Sequence, residues 1–523
     1  MKNIGTKYIL LIIPALYVFS LLTTLATVAT ASFEPGKDVS LVWKKPISRY
    51  TRSDFSLVKI NSDKMIFSHY YTKDDDTLTV LLRCFTTDNL QMIWEQSIPI
   101  ALASEKAYGL YALPTDKAIT YIAHSLSGDG NSINATGIQV DPQTGKLLVN
   151  KQLATFDRKA EKRTNVDFAT SPDSSFAFFY RYDYSPYIEN DQLEIKIEVV
   201  RINTDLSNTF FDTLSVPLIK EFDKLLDWGM DNDEVYLGKS LHHINIDDAG
   251  ALYQVTNSSP NLVTVYQWPI GSKIPKTLSL PVEKVDVTNR NMTFYRATSG
   301  TVPKRPNIIH VAGGCLADSK STTDRYFFGT FDFESMKLSR QWVYTPPASS
   351  LQELIDDDKM DYFRVNRIEV SPVDSSVLLI CQKDLTTETY DIYTKASGQM
   401  RKTPTYTKHK TADFLIFSVD KDGSVSWTNA IRNEAEDRTL TRCIREDSVR
   451  RLIYYDNDND GFVQRKINIT NGEISPLKQI VEVDGSTGFY IKEFVWIDRS
   501  TIITLLAEGS DEDDMYFIKL MGL

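Results

Sequence analysis

This sequence contains little of what most catalytic sites are built from. Its 523 residues include only six histidines and four cysteines. It has no HExxH, no GxSxG and no phosphate-binding loop, and no GxGxxG follows a strand-like run. His242 and His243 are adjacent, and neighbours on a strand point to opposite faces, so they would not share a metal ion. Catalysis is therefore left uncertain and not favoured.

The cysteines Cys84, Cys315, Cys381 and Cys443 share no spacing and form no CxxC pair. Three lie inside apolar, strand-like runs, which favours buried free thiols that pack as small apolar groups. One disulfide is the alternative in an oxidising compartment, and a sequence does not give its connectivity.

The chain also lacks an excess of positive charge. Its 58 Lys and Arg residues against 69 Asp and Glu residues give a formal net charge of −11. Phosphate backbones are bound by clustered Lys and Arg, so the composition argues against nucleic acid and anionic membrane as partners.

The only long apolar run lies at the N-terminus. Lys2 and Lys7 precede the run Tyr8–Ala29, which ends in the small-x-small sequence Ala29-Thr30-Ala31. This order predicts a signal peptide over residues 1–31, cleaved after Ala31, and a secreted, periplasmic or cell-surface protein. An uncleaved anchor is the alternative, because the run approaches the roughly 18–20 residues that span a bilayer. Residues 32–523 are then expected to form one domain with no further span.

What the sequence has instead is a repeated pattern of short strands. Helical periodicity is nearly absent after the N-terminal run, and short stretches of apolar alternation recur between polar turns. The recurring unit is a strand, a short turn and a strand that carries Trp, as at Trp94, Trp342 and Trp427. Repetition on this scale is typical of an array of small sheets.

Grouping the strands in fours predicts an all-β fold, a β-propeller of four-stranded blades. Eight blades are favoured, and seven is the alternative if the fourth and fifth units form one decorated blade. After the seventh unit only three strands remain. The mature N-terminal strand, within Asp38–Ile47, is expected to complete the last blade and close the ring. Such closure leaves only short, protected sheet edges.

Two hairpins support the same architecture. Residues 169–176, ATSPDSSF, and residues 370–377, VSPVDSSV, each lie between two predicted strands. Both resemble the SPDG hairpin of TolB-like and WD40-like propeller blades, in which Pro fixes φ and Asp caps the turn. Ser174 stands where that motif has Gly, and Val373 is inserted in the second hairpin. The resemblance implies a blade architecture, with no specific characterised family and no particular activity.

One hairpin carries a metal-binding pattern. Asp456, Asp458 and Asp460 precede a glycine and spell the first half of a calcium loop. The pattern also resembles the calcium hairpins of integrin-type propeller blades. The ninth and twelfth loop positions hold Gln464 and Ile467, so the closing acid is missing. Calcium is thus the one cofactor that the sequence suggests, and a hydrophilic hairpin turn without metal is the alternative.

The turns between the second and third strands of several units are acidic. In a propeller these turns lie on one face, so they could form a ring of carboxylates that docks a cationic partner or a divalent ion. Exposed turns that are acidic simply because the protein is acidic are the alternative. The candidate partner-binding residues are Asp74, Asp75, Asp76, Asp511, Asp513 and Asp514.

The equivalent turn of the sixth unit differs, because Thr386–Thr411 is a long insertion that carries several Lys and Arg residues. Its functional interpretation is a basic arm that folds onto the acidic turns or grips an anionic glycan. A long polar loop without a role is the alternative.

These patterns favour a secreted or cell-envelope β-propeller that acts as a binding or interaction module, with protein or glycan as its partner at the loop face. The alternative is an extracytoplasmic glycan-degrading hydrolase or lyase with a carboxylate pair at the central channel. A propeller fold alone does not choose between them, because function resides in sites carried by folds.

Overall fold

The chain folds into eight antiparallel sheets arranged as the blades of a propeller. The computed structural model describes residues 33–35, 39–46, 55–73, 77–102, 106–114, 118–157, 166–182, 187–189, 192–217, 244–259, 262–282, 298–316, 323–351, 363–371, 376–394, 400–434, 442–446, 449–456, 461–483, 490–508 and 514–523. Two short N-terminal strands precede the first complete blade: β1 (Phe33–Pro35) and β2 (Ser40–Pro46).

The first four blades each take their strands from one stretch of chain. Blade 1 comprises β3 (Phe55–Lys59), β4 (Lys64–Lys73), β5 (Thr77–Thr86) and β6 (Met92–Leu102). Blade 2 comprises β7 (Lys106–Pro114), β8 (Ile119–Leu126), β9 (Ser132–Val140) and β10 (Leu147–Asp157). Blade 3 comprises β11 (Val166–Thr170), β12 (Phe176–Tyr182), the short β13 (Tyr187–Glu189), β14 (Gln192–Asn203) and β15 (Thr209–Pro217). Blade 4 comprises β16 (Ile244–Ile246), β17 (Leu252–Ser259), β18 (Leu262–Trp268) and β19 (Lys276–Pro281).

The remaining blades follow the same order, and the last two also use the N-terminal strands. Blade 5 comprises β20 (Thr298–Thr301), β21 (Ile308–Leu316), β22 (Thr323–Asp332) and β23 (Lys337–Tyr344). Blade 6 comprises β24 (Phe363–Val370), β25 (Val377–Thr394), β26 (Met400–Val419) and β27 (Val425–Glu434). Blade 7 comprises β28 (Arg442–Glu446), β29 (Val449–Asp456), β30 (Gly461–Asn468), β31 (Lys478–Val483) and β1. Blade 8 comprises β32 (Tyr490–Trp496), β33 (Thr501–Glu508), β34 (Asp514–Met521) and β2.

The ring closes as the sequence predicts. Strand β2 pairs antiparallel with β34, from Ser40 opposite Met521 to Pro46 opposite Tyr516, and so supplies the fourth strand of blade 8. Strand β1 adds a contact that was not predicted, because it pairs with β31 as a fifth strand on blade 7. The prediction of eight blades is confirmed, and the seven-blade alternative is wrong because blades 4 and 5 are separate sheets.

The first strand of each blade lies nearest the axis. First strands of neighbouring blades contact one another, as in β3 with β7 and with β32, and β20 with β24. Each sheet then packs both faces against its neighbours, because alternate residues of a strand point to opposite faces. In blade 3, Ala177 and Phe179 face blade 2, while Phe178 and Tyr180 face blade 4. Because both faces are buried, the sequences of the second and third strands are nearly continuous apolar runs.

The first of the two SPDG-like hairpins is confirmed in detail. Ser171 N donates to the Phe176 carbonyl, and the Asp173 carboxylate accepts from Ser175 N at 2.8 Å. Ser174, which replaces the usual glycine, has a positive φ of 60°, the conformation that glycine adopts most easily. In the second hairpin, Ser371 N donates to Ser376 O at 2.8 Å, and the residues between them lie outside the described part of the chain.

Neighbouring blades are joined by a recurring contact at one end of the ring. The turn between the third and fourth strands of one blade contacts the fourth strand of the preceding blade. A Cβ placed on Gly145 of blade 2 would lie 2.6 Å from the Trp94 ring of blade 1, and one on Gly472 of blade 7 would lie 2.5 Å from the Trp427 ring of blade 6. Trp427 also donates from Nε1 to the Ile469 carbonyl at 3.0 Å. These outer-strand tryptophans, which marked the repeat in the sequence, therefore join blades.

Helical structure in the described residues is a single 3-10 turn, Ala348–Leu351. Within these residues no helix is long and apolar enough to span a bilayer. The predicted signal peptide, residues 1–31, lies outside them.

Candidate functional site

The strand ladders of blades 1, 7 and 8 end in acidic connections on one face of the ring. The last residue pairs of their second and third strands are Lys73 with Thr77, Asp456 with Gly461, and Glu508 with Asp514. All three pairs lie at the same end of their blades, because they occupy the same place in the strand order. The predicted residues Asp74, Asp75, Asp76, Asp458, Asp460, Asp511 and Asp513 lie outside the described residues. Their proposed roles therefore remain predictions.

Asp456 is the described member of the predicted calcium site. It is the last residue of β29 and is buried, which is unusual for an aspartate. Burial raises the pKa of the neighbouring Tyr454 hydroxyl, and the Asp456 carboxylate adds to this shift while Arg465 opposes it. Among the described residues no group of three or more His, Cys, Asp or Glu side chains is arranged to hold a metal ion. The calcium prediction rests on the residues that follow Asp456.

Asp514 lies directly opposite Glu508 at the end of the blade 8 ladder. Its role as a partner-binding residue remains a prediction.

Blade 6 carries the most distinctive element on the same face. The predicted polar loop Thr386–Thr411 is instead part of a β-ribbon, because β25 and β26 remain paired from Asp384 opposite Thr411 to Thr394 opposite Met400. The loop expectation was wrong because alternating Thr and Tyr residues favour strands without forming an apolar pattern. We call residues 384–394 and 400–411 the ribbon.

The ribbon extends well beyond its sheet. The first strand of blade 6 pairs with β25 only as far as Lys383, and the fourth strand pairs with β26 only as far as Ala412. Eleven residues of β25 continue past that point, a length of about 35 Å at the rise of a β-strand. Among the described strands, none pairs with either edge of this part of the ribbon.

The charge of the ribbon is opposite to that of the whole protein. Residues 384–411 contain five Lys or Arg and three Asp or Glu, a net charge of +2 in a chain whose net charge is −11. In ring order the ribbon on blade 6 is followed by the acidic connections of blades 7, 8 and 1. The ribbon therefore extends from the face of the ring at which the strands that flank these acidic segments also end.

The opposite face carries a carboxylate network that the sequence did not reveal. Asp247, at the first turn of blade 4, is fully buried. Its Oδ1 accepts from Ala251 N at 2.9 Å, while its Oδ2 accepts from the Tyr253 hydroxyl at 2.6 Å and from Asn307 N of blade 5 at 2.9 Å. Burial, together with the Asp247 carboxylate, raises the pKa of Tyr253. Asp247 therefore has a structural role, because its bond from Asn307 N links blade 5 to blade 4.

Asp248 extends this network to three blades. Its Oδ1 accepts from Asp173 N of blade 3 at 3.0 Å, and its Oδ2 accepts from Lys304 N of blade 5 at 2.6 Å. Partial burial raises the pKa of Asp248, and the nearby Asp173 carboxylate contributes to the increase. The two carboxyl groups lie close enough to share a hydrogen bond, shorter than the roughly 5–10 Å separation that glycosidases use. The pair of carboxyl groups therefore fits a structural contact between blades better than a hydrolytic site.

Three of the histidines and two of the cysteines are structural as well. His69, His124 and His310 are all fully buried between blades, and His242 and His243 lie outside the described residues. Cys84 and Cys381 are buried free thiols, which confirms that interpretation for these two. Burial raises the pKa of Cys84 to about 11, so its thiol is unreactive at neutral pH.

Comparisons with known proteins provide no family. No family model matches the chain, and no curated protein matches it. Among solved structures, the β-propeller domain of the Trilobed protease from Pyrococcus furiosus is 12% identical, with 79% of this chain and 95% of that chain covered and a TM-score of 0.34. The WD40 domain of SCAP from fission yeast is 10% identical, with 95% and 98% covered and a TM-score of 0.36. The polysaccharide lyase Uly1 is 9% identical, with the same coverage and a TM-score of 0.38.

All three TM-scores lie below 0.5, so the fold assignment rests on the sheets themselves. Eight sheets of four or five strands, the last of them completed by strand β2, define the chain as an eight-bladed β-propeller.

Proposed function

We propose that this protein is an extracytoplasmic binding module whose partner docks on the face that carries the ribbon. The observation that supports this most directly is the ribbon itself. A two-stranded hairpin is marginally stable alone in water, so about 35 Å of ribbon with no described strand on either edge is better explained by a partner that covers it. Open strand edges are also a common means of recruiting another chain.

The charge on this face suggests two chemistries for the partner. The cationic ribbon suits anionic groups, such as the carboxylates or sulfates of a glycan or an acidic protein segment. The acidic connections of blades 7, 8 and 1 suit a cationic protein surface. Attraction of this kind increases the association rate and is weakened by salt.

Two defined probes test the proposal: dextran sulfate for the ribbon and poly-L-lysine for the acidic connections. In one variant Lys402, Lys408 and Lys410 become Gln, which keeps the ribbon and removes charge. In the other Asp74, Asp75, Asp76, Asp511, Asp513 and Asp514 become Asn. We expect the first variant to lose dextran sulfate binding and keep poly-L-lysine binding, and the second to do the reverse.

Each variant serves as the control for the other, because both change charge on the same face of the ring. Surface plasmon resonance at two salt concentrations gives the affinities. If both variants bind both probes as well as the unaltered protein does, neither the ribbon nor the acidic connections form the docking site, and the proposal is wrong.

A further inference from the structure

The turn that follows the third strand is built in the same way in three blades. Its first residue is Asp141 in blade 2, Asp332 in blade 5 and Asn468 in blade 7. In each blade the side-chain Oδ1 of this residue accepts a hydrogen bond from the backbone N–H two residues later, at 2.8, 2.9 and 2.9 Å respectively. This arrangement is an Asx-turn, in which the side chain imitates a backbone turn. Because a carboxylate serves equally well in blades 2 and 5, the turn requires only the oxygen.

The amide nitrogen of Asn468 is therefore an addition that the turn does not use. Within the described part of the chain, Asn468 Nδ2 donates no hydrogen bond, whereas Oδ1 accepts from Thr470 N. The residue that donates this N–H also varies, because it is Gln143 in blade 2 and Glu334 in blade 5. Neither the amide of Asn468 nor the hydroxyl of Thr470 is thus explained by the fold of the turn.

Together these two groups form a known acceptor sequence. Asn468, Ile469 and Thr470 spell N-x-T, with no proline at the middle position. Such sequences accept N-linked glycans in the surface loops of secreted proteins. Thr470 and the next residue, Asn471, are exposed, and Asn468 is partly exposed. The turn therefore meets the requirement for a glycan, which has to remain in solvent once the chain has folded.

Contacts with the preceding blade leave the two side chains unused. Trp427 Nε1 of blade 6 donates to the Ile469 carbonyl at 3.0 Å, and the Trp427 ring lies against Gly472. Asn429 of blade 6 also donates from Nδ2 to the Gly472 carbonyl. These hydrogen bonds use the backbone of the turn and not the side chain of Asn468. The turn is therefore fixed to the ring independently of the acceptor group.

The chain contains three further N-x-S/T sequences, and none of them lies in a described turn. Asn134 lies within β9, and its Oδ1 accepts from the Thr155 hydroxyl at 2.8 Å. Thr136, the hydroxyl residue of that sequence, is buried. Asn257 lies within β17, and Asn291 lies outside the described residues. Among the described residues the fold thus favours Asn468.

We propose that Asn468 carries an N-linked glycan. The donor is an oligosaccharide carried on a polyisoprenyl diphosphate. Asn468 Nδ2 forms a bond to the anomeric carbon of the first sugar and loses one proton, while the bond from that carbon to the diphosphate oxygen breaks. The diphosphate leaves with the electron pair of the broken bond, so no oxidant or reductant is needed. This modification rests on the extracytoplasmic location in the proposed function.

The glycan is placed on the face that the proposed partner does not use. Asn468 pairs with Val449 at one end of the ladder between β29 and β30, and Asp456 pairs with Gly461 at the other end. The second of these ends belongs to the face from which the ribbon of blade 6 extends. A glycan at Asn468 therefore leaves the ribbon face open to a partner.

The test uses the full chain, with its own N-terminal run, produced in cultured mammalian cells. Protease protection of microsomes and recovery from the medium show whether the chain is translocated. Removal of glycans by peptide N-glycosidase F, in water enriched in heavy oxygen, converts each glycosylated asparagine to a labelled aspartate that peptide mass spectrometry locates. We expect the label at Asn468.

Four variants isolate the acceptor sequence. We expect Asn468→Asp and Thr470→Ala each to lose one glycosidase-sensitive shift in electrophoretic mobility, and Thr470→Ser to retain it. The matched control Asn471→Gln changes the same turn outside the acceptor sequence and should also retain the shift. Because blades 2 and 5 have aspartate at this position, Asn468→Asp should keep the melting temperature of the enzymatically deglycosylated protein.

The results separate this inference from the proposed function. A translocated chain without label at Asn468, or a Thr470→Ala variant that keeps the shift, overturns the glycosylation alone. A chain that is not translocated overturns both the glycosylation and the extracytoplasmic location. Failure of the dextran sulfate and poly-L-lysine experiments overturns the docking proposal and leaves the glycosylation standing.

Discussion

Arg201 of blade 3 pairs with Asp212 on the next strand while it also binds the backbone of blade 4. Arg201 Nε donates to Asp212 Oδ2 at 2.8 Å, and Nη1 donates to the carbonyls of Gly250 and Trp268 at 2.9 and 3.2 Å. The Arg201 side chain is completely buried. One charged group therefore joins a cross-strand ion pair to the turns of the adjacent blade.

Breaking this pair should be costly. We expect Asp212→Asn to destabilise the protein by about 3–5 kcal/mol, because it leaves the buried Arg201 charge uncompensated. Arg367→Met is the control: it breaks the pair with Glu369, but Arg367 is half-exposed and the loss should stay below about 1 kcal/mol. Urea unfolding followed by fluorescence measures both. Equal losses of stability in the two variants would show that burial of the Arg201 charge does not increase the cost of breaking its ion pair.

The buried histidines should make the ring sensitive to acid. Burial lowers the pKa of His69 to about 4, and those of His124 and His310 to about 3, from an ordinary 6.5. The folded state thus binds fewer protons than the unfolded state, so this stability is present above pH 6.5 and is lost as pH falls towards 4. Each histidine contributes a slope of up to about 1.4 kcal/mol per pH unit in that window.

His124→Phe isolates one of these contributions. Its ring packs edge-on against Tyr111 and Phe179, with ring centres 5.6 and 5.2 Å apart, so Phe suits the site. We expect urea unfolding of this variant to lose less stability between pH 6.5 and 4.5 than the unaltered protein loses. An unchanged slope would mean that His124 does not titrate on unfolding in this range.

The glycines at the blade contacts should resist substitution for two separable reasons. Gly145 and Gly472 have φ of +72° and +75° and lie against the rings of Trp94 and Trp427. Gly271 has a similar φ of +76° but no atom within 4 Å of its Cβ position. We expect Gly271→Ala to cost about 1 kcal/mol from backbone strain alone, and Gly145→Ala or Gly472→Ala to cost more. Thermal unfolding of the three variants gives the comparison, and equal shifts would assign the whole cost to the backbone.

Removal of the N-terminal strands should act in two steps. A chain that starts at residue 39 loses only β1, the fifth strand of blade 7, and should unfold nearly as the mature protein does. A chain that starts at residue 48 also loses β2, which exposes the whole edge of β34 and opens the ring. We expect the shorter chain to aggregate or unfold several degrees lower, as measured by size-exclusion chromatography and calorimetry. Similar behaviour of the two chains would contradict closure by β2.

Calcium should stabilise the protein if the acidic hairpin after Asp456 binds it. A ligand that binds only the folded state raises the melting temperature as its concentration exceeds the dissociation constant. We expect calcium added after EDTA treatment to raise the melting temperature by several degrees, and Asp458→Ala to abolish the shift. A shift that persists in this variant would place the ion elsewhere, and no shift in the unaltered protein would leave this segment as an ordinary turn.

The architecture was predictable because its signals are local. Short apolar strands, the Trp-bearing fourth strands and the leftover strand around Trp43 determine the blade count and the closure before any contact is known. The Asp173 hairpin was recognisable for the same reason, since its hydrogen bonds lie within five residues of chain.

Contacts between blades could not be predicted in this way. Arg201 and Asp248 are ordinary charged residues in the sequence, and only the packing of separate sheets gives them backbone partners in neighbouring blades. The insertion Thr386–Thr411 was recognised in the sequence, but its strands were not, because they show no alternation of polar and apolar residues. The exposure of Leu148 and Phe211 could not be predicted either, because an apolar residue in an outer strand has the same sequence pattern whether it is covered or exposed.

Pairing of β2 with β34 joins the second strand of the domain to the last one. The two strands are synthesised near opposite ends of the chain. Strand β2 therefore has no partner until the strands of nearly all the other blades have been synthesised. Such long-range pairing is slow to form and leaves strand edges exposed in the interval. Transport of the chain through a membrane in extended form would ease this problem, because all eight blades would become available to fold together on the far side.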